Sequence, residues 1–545
     1  MQFFTRVFVA VILTAVYPFS HTVVAVPLAE DTFPIMGLPT ELRWIIFNYL
    51  GARDLKSISQ TCKQLNAETK GDSLKAQCFL NDYPGYKKKW TAISALLDGR
   101  QIKEWVAQFS DEPGISTSLC RVKGSNDFPA LLFYKTSYLM RNARFFEVQE
   151  KGGISHDNWV RSAIFSPDGR HVATVSDDNK TKILGLDASG NWTEKGCISH
   201  NNAILSVTFS PDSRYVVTAS VDRTAKIWGL DASGNWTEKR CISHRRSVCS
   251  ATFSPDSRRV LTASHDHTAK IWGRDNDGNW TEKGGFFHDR SLCSATFSPD
   301  CRRVVTASHD HTAKIWGRDW IEKKCFSHGK SVNSATFSPD GRHVVTASDD
   351  HRAKIWGLDA SGNWIKEGRI VHDRSVRSAT FSPDSRHVVT ASRDCTAKIW
   401  GLDTSGNWTQ KGYVFHCKSV SSATFSPDSR YVLTVSDDNT AKIWGQDNDG
   451  NWTEKKSISH GKPLCSATFS PDGRHVMTTG GDYRARIWGL DACGNWTEKG
   501  YIYHDDWVRS ATFSPDGRYV VTASDDKTAK IWLLKTKRST DASPH

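Results

Sequence analysis

The sequence of 545 residues lacks several features that would assign a chain to a familiar functional class. Its net charge is +12, but Lys and Arg form no dense block, so the surplus suits a solvated surface and nothing indicates a nucleic-acid partner. The thirteen cysteines contain no CxxC pair and no regular spacing, so neither a disulfide framework nor a zinc site is expected. Charged residues make up 24% and hydrophobic residues 38%, which is typical of a soluble globular protein.

The N-terminus is the one strongly apolar segment. Arg6 precedes an apolar run from Val7 to Phe19, and the small residues at 23–25 offer a cleavage site. This pattern predicts a secretory signal peptide over residues 1–25, and therefore a secreted protein with no stable membrane span once the signal is removed. A membrane anchor is the alternative, because no charge occurs between Arg6 and Glu30, although Pro18 argues against a spanning helix.

The stretch LPTELRWIIFNYLGARDLKSISQTCKQL at 38–65 predicts two short amphipathic helices. The apolar residues of the first helix recur with helical spacing at Leu42, Ile45, Ile46, Tyr49 and Leu50. The apolar residues of the second, which Asp54 can cap, are Leu55, Ile58, Cys62 and Leu65. Two helices of this size cannot bury both apolar faces alone, so they need a third helix or a partner.

This stretch resembles the F-box family, and we place the module at residues 34–71. The resemblance implies docking on the Skp-type adaptor of a Skp–cullin–F-box ubiquitin ligase. It gives adaptor-facing roles to Leu38, Pro39, Leu42, Ile46 and Leu50. Leu65 departs from the family, which often has Trp there, and this leaves the second half of the interface open. The alternative is an ordinary helical hairpin that packs on its own domain. Residues 72–143 suggest a helical linker domain.

Residues 156–532 contain one unit repeated nine times. Its marker histidines stand 44 residues apart, with one step of 40, at His156, His200, His244, His288, His328, His372, His416, His460 and His504. Each copy reads as three strands separated by tight turns, as in VRSATF, YVVTAS and TAKIW of the last copy. In the other copies a hairpin such as LDASGN leads to a fourth strand, WTEKG. A period of about 40–45 residues with four short strands predicts a β-propeller.

The chain ends soon after the last third strand, so residues 144–156 can supply the missing fourth strand of the last blade. Such closure would remove a free sheet edge. The sequence therefore predicts a mainly β fold, with a propeller of nine repeats over residues 144–535 in one closed ring. The small α-helical module and the helical linker precede it, and a disordered tail follows at 536–545. A smaller ring with a displaced repeat is the alternative.

The repeats resemble the tryptophan–aspartate (WD) repeat family, since each copy has the His, the FSPD motif and a fixed Asp after the second strand. A catalytic constellation is needed once, so nine copies of Ser, His and Asp favour structural hydrogen bonding over hydrolysis. We expect each His to link the Asp, the Ser and a Trp indole. Representative members of this set are His200, Asp222, His244, Asp266, His504 and Asp526. No unique polar cluster remains for an active site, so the sequence predicts a non-catalytic protein without cofactor or metal.

Three columns vary among the copies: the residues three and five after the His, and the residue before the fixed Asp. In the WD-repeat family these positions line the mouth of the channel, where partners dock. Ring closure would bring repeats one and nine together. The candidate partner-binding residues are Trp159, Arg161, Trp507, Arg509, Arg377 and Arg393. Trp and Arg dominate binding hot spots, so we expect a docking surface for an acidic or phosphorylated segment. The alternative is that each Trp packs on its neighbour and each Arg is solvated.

The two resemblances together imply a substrate receptor. The helical module would hold the adaptor and cullin ligase, and the propeller would hold the protein to be ubiquitinated. The signal peptide conflicts with a cytoplasmic ligase subunit, and a bacterial effector that acts in the host cytoplasm would reconcile the two. The alternatives are a cytoplasmic protein, a scaffold without a ubiquitin role, and a secreted binding protein.

Overall fold

A computed structural model describes residues 145–537, apart from Ala188, Ala232, Asn276, 448–449 and 492–493, together with positions 99, 102–103, 106, 119–120, 123 and 128–132. The predicted signal peptide and the predicted F-box lie outside these residues, as do most of the linker and residues 538–545. Among the described linker positions, residues 99, 102–103, 106, 119–120 and 128–132 are helical. The helical linker as a whole therefore stays a prediction.

The described chain forms 36 strands, which are grouped in nine four-stranded antiparallel sheets. Blade 1 consists of β2 (Val160–Phe165), β3 (His171–Ser176), β4 (Lys180–Leu186) and β5 (Trp192–Ser199). Blade 2 consists of β6 (Ile204–Phe209), β7 (Tyr215–Ser220), β8 (Thr224–Leu230) and β9 (Trp236–Ser243). Blade 3 consists of β10 (Val248–Phe253), β11 (Arg259–Ser264), β12 (Thr268–Arg274) and β13 (Trp280–Phe287).

The next three blades repeat this order of strands. Blade 4 consists of β14 (Leu292–Phe297), β15 (Val304–Ser308), β16 (Thr312–Trp316) and β17 (Glu322–Ser327). Blade 5 consists of β18 (Val332–Phe337), β19 (His343–Ser348), β20 (Arg352–Leu358) and β21 (Trp364–Val371). Blade 6 consists of β22 (Val376–Phe381), β23 (His387–Ser392), β24 (Thr396–Leu402) and β25 (Trp408–Phe415).

The last three blades include the one that joins the two ends of the propeller. Blade 7 consists of β26 (Val420–Phe425), β27 (Tyr431–Ser436), β28 (Thr440–Gln446) and β29 (Trp452–Ser459). Blade 8 consists of β30 (Leu464–Phe469), β31 (His475–Gly480), β32 (Arg484–Leu490) and β33 (Trp496–Tyr503). Blade 9 consists of β34 (Val508–Phe513), β35 (Tyr519–Ser524), β36 (Thr528–Lys537) and β1 (Phe145–Ser155).

The ring closes through β1. This strand runs antiparallel to β36, with Ile154 opposite Ala529, and so completes blade 9 from the N-terminal side. Blade 9 also meets blade 1, where the hydroxyl of Thr512 donates to the carbonyl of Ala163 over 3.1 Å. The predictions of nine blades and of one closed ring are confirmed, and the smaller ring with a displaced repeat is wrong.

The core lies between neighbouring blades, because each second strand is buried on both faces and packs against the next sheet. At the closure, Val160 and Val172 of blade 1 form one buried cluster with Val521 and Ile531 of blade 9. Aromatic rings close each seam from the side, and the Trp192 ring stands edge-on to Tyr519 of blade 9 with centroids 6.0 Å apart. The near-continuous apolar run of each second strand is what such two-sided burial requires.

The two ends of each blade carry different loops. At one end, the loop that begins at the marker His and the turn that holds the fixed Asp bond to each other, as in the 2.9 Å bond from the Val221 N–H to the Ala203 carbonyl. We call this end the His face. At the other end lie the SPD turn and the outer hairpin, where Gly190 has φ +84°. The short 40-residue step is explained there, since both strands of the outer hairpin are two residues shorter in blade 4 than in blade 1. The loop keeps its size, because the Gly317 N–H bonds to the Ile321 carbonyl as the Asp187 N–H bonds to the Asn191 carbonyl.

Candidate protein-interaction surface

Each blade contains a His–Thr–Asp set of hydrogen bonds that ends at the fixed Asp. The expected link to a Trp indole forms in blades 4, 5, 8 and 9. It is wrong for blades 2, 3, 6 and 7, where the indole N–H has no partner among the described residues, and for blade 1, which has Leu184 there. In blade 9 the indole N–H of Trp532 donates to the hydroxyl of Thr522 over 2.9 Å. That hydroxyl lies 2.7 Å from Nε2 of His504, and Nδ1 of His504 lies 2.6 Å from the carboxylate of Asp526. The His–Asp and His–Thr contacts recur in all nine blades, at 2.9 and 2.8 Å for His200 in blade 2 and at 3.1 and 2.9 Å for His244 in blade 3.

Burial lowers the pKa of the network histidines of blades 1 to 5, 7 and 8, which favours their neutral form. Burial is the largest influence and lowers the pKa of His328 to about 4, although the charge of Asp350 opposes the shift. Burial also raises the pKa of Asp222, but hydrogen bonds from Thr224, the Asn201 N–H and His200 outweigh it and bring the value to about 2. A neutral imidazole that donates from Nδ1 to a carboxylate and accepts at Nε2 from a threonine hydroxyl satisfies every partner.

The fixed Ser has a different role from the expected one. We predicted that the His would link the Asp, the Ser and the indole, whereas the hydroxyl that reaches the His belongs to a Thr two residues before the Ser. In blade 2, Ser220 instead accepts the N–H of Asp222 and donates to the carbonyl of Asn202 at 3.0 Å. The sequence contained the signal that we missed, because this Thr stands in all nine copies of the second strand.

Ring closure brings together the Trp and Arg residues of blades 1 and 9. The guanidinium of Arg161 lies 5.3 Å from the centre of the Trp159 ring, and that of Arg509 lies 5.9 Å from the same ring. Arg509 also lies 5.0 Å from the Trp507 ring. Trp159 is 41% exposed, whereas Trp507 is half-buried. This Trp/Arg sector is a compact aromatic and cationic cluster on the His face.

Both arginines of the sector already have carboxylate partners. Arg161 donates to Asp177 from Nε at 2.9 Å and from its terminal nitrogen at 2.5 Å. Arg509 binds Asp525 in the same way, at 2.8 and 2.5 Å. We predicted that these two arginines would bind an acidic segment through paired N–H groups. Those N–H groups instead bind aspartates of their own blades.

The two arginines of blade 6 differ from this pattern. Arg393 occupies the position of the partner Asp and is exposed, so Arg377 lacks the carboxylate that binds Arg161 and Arg509 in their blades. Arg377 reaches instead across to Asp437 of blade 7, at 3.4 Å. The structure thus places Arg377 and Arg393 on the His face of blade 6, three blades before blade 9, and so outside the Trp/Arg sector.

A cysteine and a histidine pair at the same positions in blade 4. Sγ of Cys293 lies 3.3 Å from Nε2 of His309, the kind of contact that can activate a thiol. Burial, however, raises the pKa of Cys293 to about 12, and that of Cys249 in blade 3 to about 11. Both thiols are therefore protonated and poor nucleophiles near neutral pH.

Two further observations bear on cysteines, metals and membranes. Ten cysteines within the described positions are free. Over those same positions, no three His, Cys, Asp or Glu residues come together in a way that could hold a metal ion. No helix in the part of the chain that the structure describes is long and apolar enough to cross a bilayer.

Two family models match the chain. The model for the WD domain, G-beta repeat, matches nine segments that together exceed half of the chain, namely residues 150–183, 193–229, 236–273, 285–317, 321–357, 367–401, 409–445, 452–489 and 498–532. The F-box-like model matches residues 35–81, which include all five predicted adaptor-facing positions, Leu38, Pro39, Leu42, Ile46 and Leu50. These five lie outside the described residues.

Among curated proteins, none matches this sequence. Both matched families are typically non-catalytic interaction modules, and neither family match is to an enzyme domain. The nine hydrogen-bonded His–Asp–Thr sets agree with a structural role, because each set stabilises the equivalent turn of its own blade. The chain belongs to the WD40 repeat family, and it combines an F-box-like domain with a closed nine-bladed propeller.

Proposed function

We propose that this protein is the substrate receptor of a Skp–cullin–F-box ubiquitin ligase. The observation that carries the proposal is the presence, in one chain, of an F-box-like segment and a rigid ring with a diversified face. The F-box-like segment would bind the Skp-type adaptor and, through it, the cullin. The His face would bind the protein to be ubiquitinated.

The adaptor side of the proposal rests on Leu38, Pro39, Leu42, Ile46 and Leu50, with Leu65 in the place of the usual Trp. We expect the full chain to capture a purified Skp-type adaptor in a pull-down. A double variant, Leu38→Ala with Pro39→Ala, should lose most of that binding, because it removes apolar contacts from the centre of the interface.

The control for this experiment is Trp159→Ala, which alters the propeller and leaves the F-box-like segment intact. It should bind the adaptor as the unaltered chain does. Failure of the folded, full-length protein to bind any Skp-type adaptor would refute the ligase role. A scaffold or a secreted binding protein would then be the better description.

The target side of the proposal rests on the Trp/Arg sector. Trp159 is exposed and is flanked by the guanidinium groups of Arg161 and Arg509, which suits the flat contact area of an interface hot spot. We infer that a protein target packs on the Trp faces there, and that its acidic or phosphorylated groups also meet exposed cations on the same face, among them Arg393.

The place of action is a separate proposal. The apolar run within residues 1–25 supports secretion, and a secreted effector would meet the ligase in the cytoplasm of a host cell. Mass spectrometry of the exported protein tests this, because cleavage should leave a chain that starts near residue 26. Recovery of the protein only inside the producing cell, with Met1 and its neighbours intact, would support the cytoplasmic alternative.

A further inference from the structure

One exposed column of the His face carries a positive charge in six consecutive blades. The column is the second residue after the marker His, and in blades 3 to 8 it contains Arg246, Arg290, Lys330, Arg374, Lys418 and Lys462. We call this set the cationic arc. The same column contains Asp506, Asn158 and Asn202 in blades 9, 1 and 2, which adjoin one another in the closed ring. The arc and the Trp/Arg sector therefore occupy complementary parts of one face.

The fold fixes the backbone beneath the arc. The hydroxyl of the fixed Ser donates to the carbonyl of the arc residue, as from Ser264 to Arg246 at 3.2 Å and from Ser348 to Lys330 at 3.2 Å. Blade 8 has Gly480 in place of the Ser and so cannot make this bond through a side chain. Five of the six cations thus project from loops that are anchored to the buried network of their own blade.

The arc has no structural task in the described part of the molecule. All six side chains are exposed, and none forms an ion pair with another described residue. Arg245 adds a further cation beside the arc, while Asp289 and Asp373 precede two of its members. A row of like charges without partners does not stabilise a fold, but it attracts a polyanion and speeds its association.

The arrangement of the cations, one in each blade, indicates the shape of the ligand. Each blade supplies one arc residue, so the arc as a whole is a row and not the convergent set of donors that grips a single phosphate. The next residue in each of these blades is Ser or Pro, at Ser247, Ser291, Ser331, Ser375, Ser419 and Pro463. The arc therefore has no aromatic side chain in the column next to it. Phe287 and Phe415 are exposed at the ends of the outer strands, so stacking of nucleic-acid bases is one of the outcomes that the test below distinguishes.

The geometry points to an extended protein segment rich in Asp and Glu as the ligand of the cationic arc. Its carboxylates would be distributed over several blades. Asp505 and Asp506 would repel these carboxylates from blade 9 and so limit the segment to blades 3 to 8. This inference rests on the proposed function in one respect, namely that the segment belongs to the protein that the propeller recruits.

The test is a fluorescence anisotropy titration of the full chain with a fluorescein-labelled peptide of alternating Glu and Ser. We expect a triple variant, Arg290→Glu with Lys330→Glu and Arg374→Glu, to weaken binding about tenfold or more, because three charge pairs become repulsive. The matched control is Lys151→Glu with Lys324→Glu and Lys411→Glu, which makes the same change in net charge on exposed outer-strand positions. The control should retain nearly full affinity at about 0.15 M salt, where long-range effects are screened.

A gain-of-binding variant makes the test independent of damage to the fold. Asp289→Lys with Asp373→Lys places further cations beside Arg290 and Arg374 at two exposed positions and should tighten binding several-fold. Equal weakening by the arc variant and its control would overturn the inference, since net charge alone would then explain the binding. Tighter binding of a peptide with a single phosphoserine, or of a uridine oligonucleotide, would also overturn it.

The arc variant should still capture the Skp-type adaptor, which separates the two proposals. If the unaltered chain binds the peptide but not the adaptor, the ligase role is refuted and the arc remains a site for an acidic segment. If the unaltered chain binds the adaptor but not the peptide, the inference about the arc is refuted and the ligase role stands.

Discussion

The invariant columns of the nine blades and the variable columns of the His face follow opposite rules. His, Asp and Thr of the buried network recur in every blade, and their contacts recur with them. The positions next to them on the surface hold Arg, Leu, Cys, Asn or Ser at one column, and Asp, Val, His, Arg or Gly at another. Some of these positions are only one residue from the buried set.

The difference follows from what each group loses when its partner changes. A buried imidazole or carboxylate without a hydrogen-bond partner costs about 1–3 kcal/mol, so the buried columns tolerate little variation. An exposed side chain keeps its hydrogen bonds to water, and changes there usually cost less than about 0.5 kcal/mol. Residues on the rim can therefore vary, and with them the binding specificity, with little loss of folding stability.

Blade 8 shows what happens when the buried set itself changes. Gly480 replaces the Ser, and a Cβ at that position would meet Nδ1 of His460 at 2.9 Å. Asp482 there also binds Arg486 at 2.8 Å, a contact that uses its second carboxylate oxygen. The blade keeps its His–Asp bond, at 2.8 Å, by rearranging the neighbours around it.

Acid should produce the largest effect, because it attacks the buried columns of many blades at once. The folded-state pKa of His328, about 4, lies below its ordinary value of 6.5, so the unfolded chain binds more protons between these values. Stability that depends on this histidine is present above pH 6.5 and is lost as the pH falls towards 4. Burial lowers the pKa of His156, His200, His244, His288, His416 and His460 in the same direction.

The measurement is the thermal unfolding midpoint between pH 7.5 and pH 4.5, which should fall steeply below about pH 6. The aspartates act in a lower window, because the pKa of Asp222 is about 2 in the folded protein against 3.8 ordinarily, so its contribution is lost only as the pH falls through that range. A midpoint that stays constant down to pH 4.5 would mean that the histidines are not held neutral.

A single substitution in the network should come next in size. Asp222 accepts hydrogen bonds from His200, from the Asn201 N–H, and from both the N–H and the hydroxyl of Thr224. Asp222→Ala leaves all of these donors without a partner, so we expect the free energy of unfolding to fall by about 3 kcal/mol.

The matched control is Asn201→Ala in the same blade, which removes an exposed side chain and keeps the backbone N–H that binds Asp222. Chemical denaturation of both variants gives the two values, and we expect less than about 0.5 kcal/mol for the control. Similar losses in the two variants would erase the distinction between buried and exposed columns.

A partly buried ion pair of the rim should have an intermediate effect. The Asp525 carboxylate is almost fully buried and faces the Arg509 guanidinium, whose side chain is 25% exposed. Arg509→Ala would leave this carboxylate without its charged partner and would also remove a guanidinium from the Trp159 and Trp507 rings. We expect denaturant titration to show a loss of about 1–2 kcal/mol. The double variant Arg509→Ala with Asp525→Ala should recover part of it, and a further loss in the double variant would contradict this explanation.

The periodic features of this molecule were predictable from the sequence, whereas the pairings on the rim were not. The spacing of the nine histidines and the fourth-strand segment before residue 156 were enough to predict the blade number and the closure. The Arg161–Asp177 and Arg509–Asp525 pairs could not be predicted, because each joins two variable columns and neither column alone indicates its partner. A pairing across adjacent strands depends on register, and the 16-residue separation within a blade gives no periodic signal.

The smallest effect should come from the exposed arginine of blade 6. Arg377 meets Asp437 at 3.4 Å, and the two side chains are 35% and 48% exposed, so water can replace either partner. Its own blade offers Arg393 where blade 9 offers Asp525, and like charges at that position oppose each other. Arg377→Ala should therefore change the free energy of unfolding by less than about 0.5 kcal/mol. A loss as large as that of Arg509→Ala would show that the inter-blade bond at 3.4 Å holds blades 6 and 7 together, and that part of the rim is structural after all.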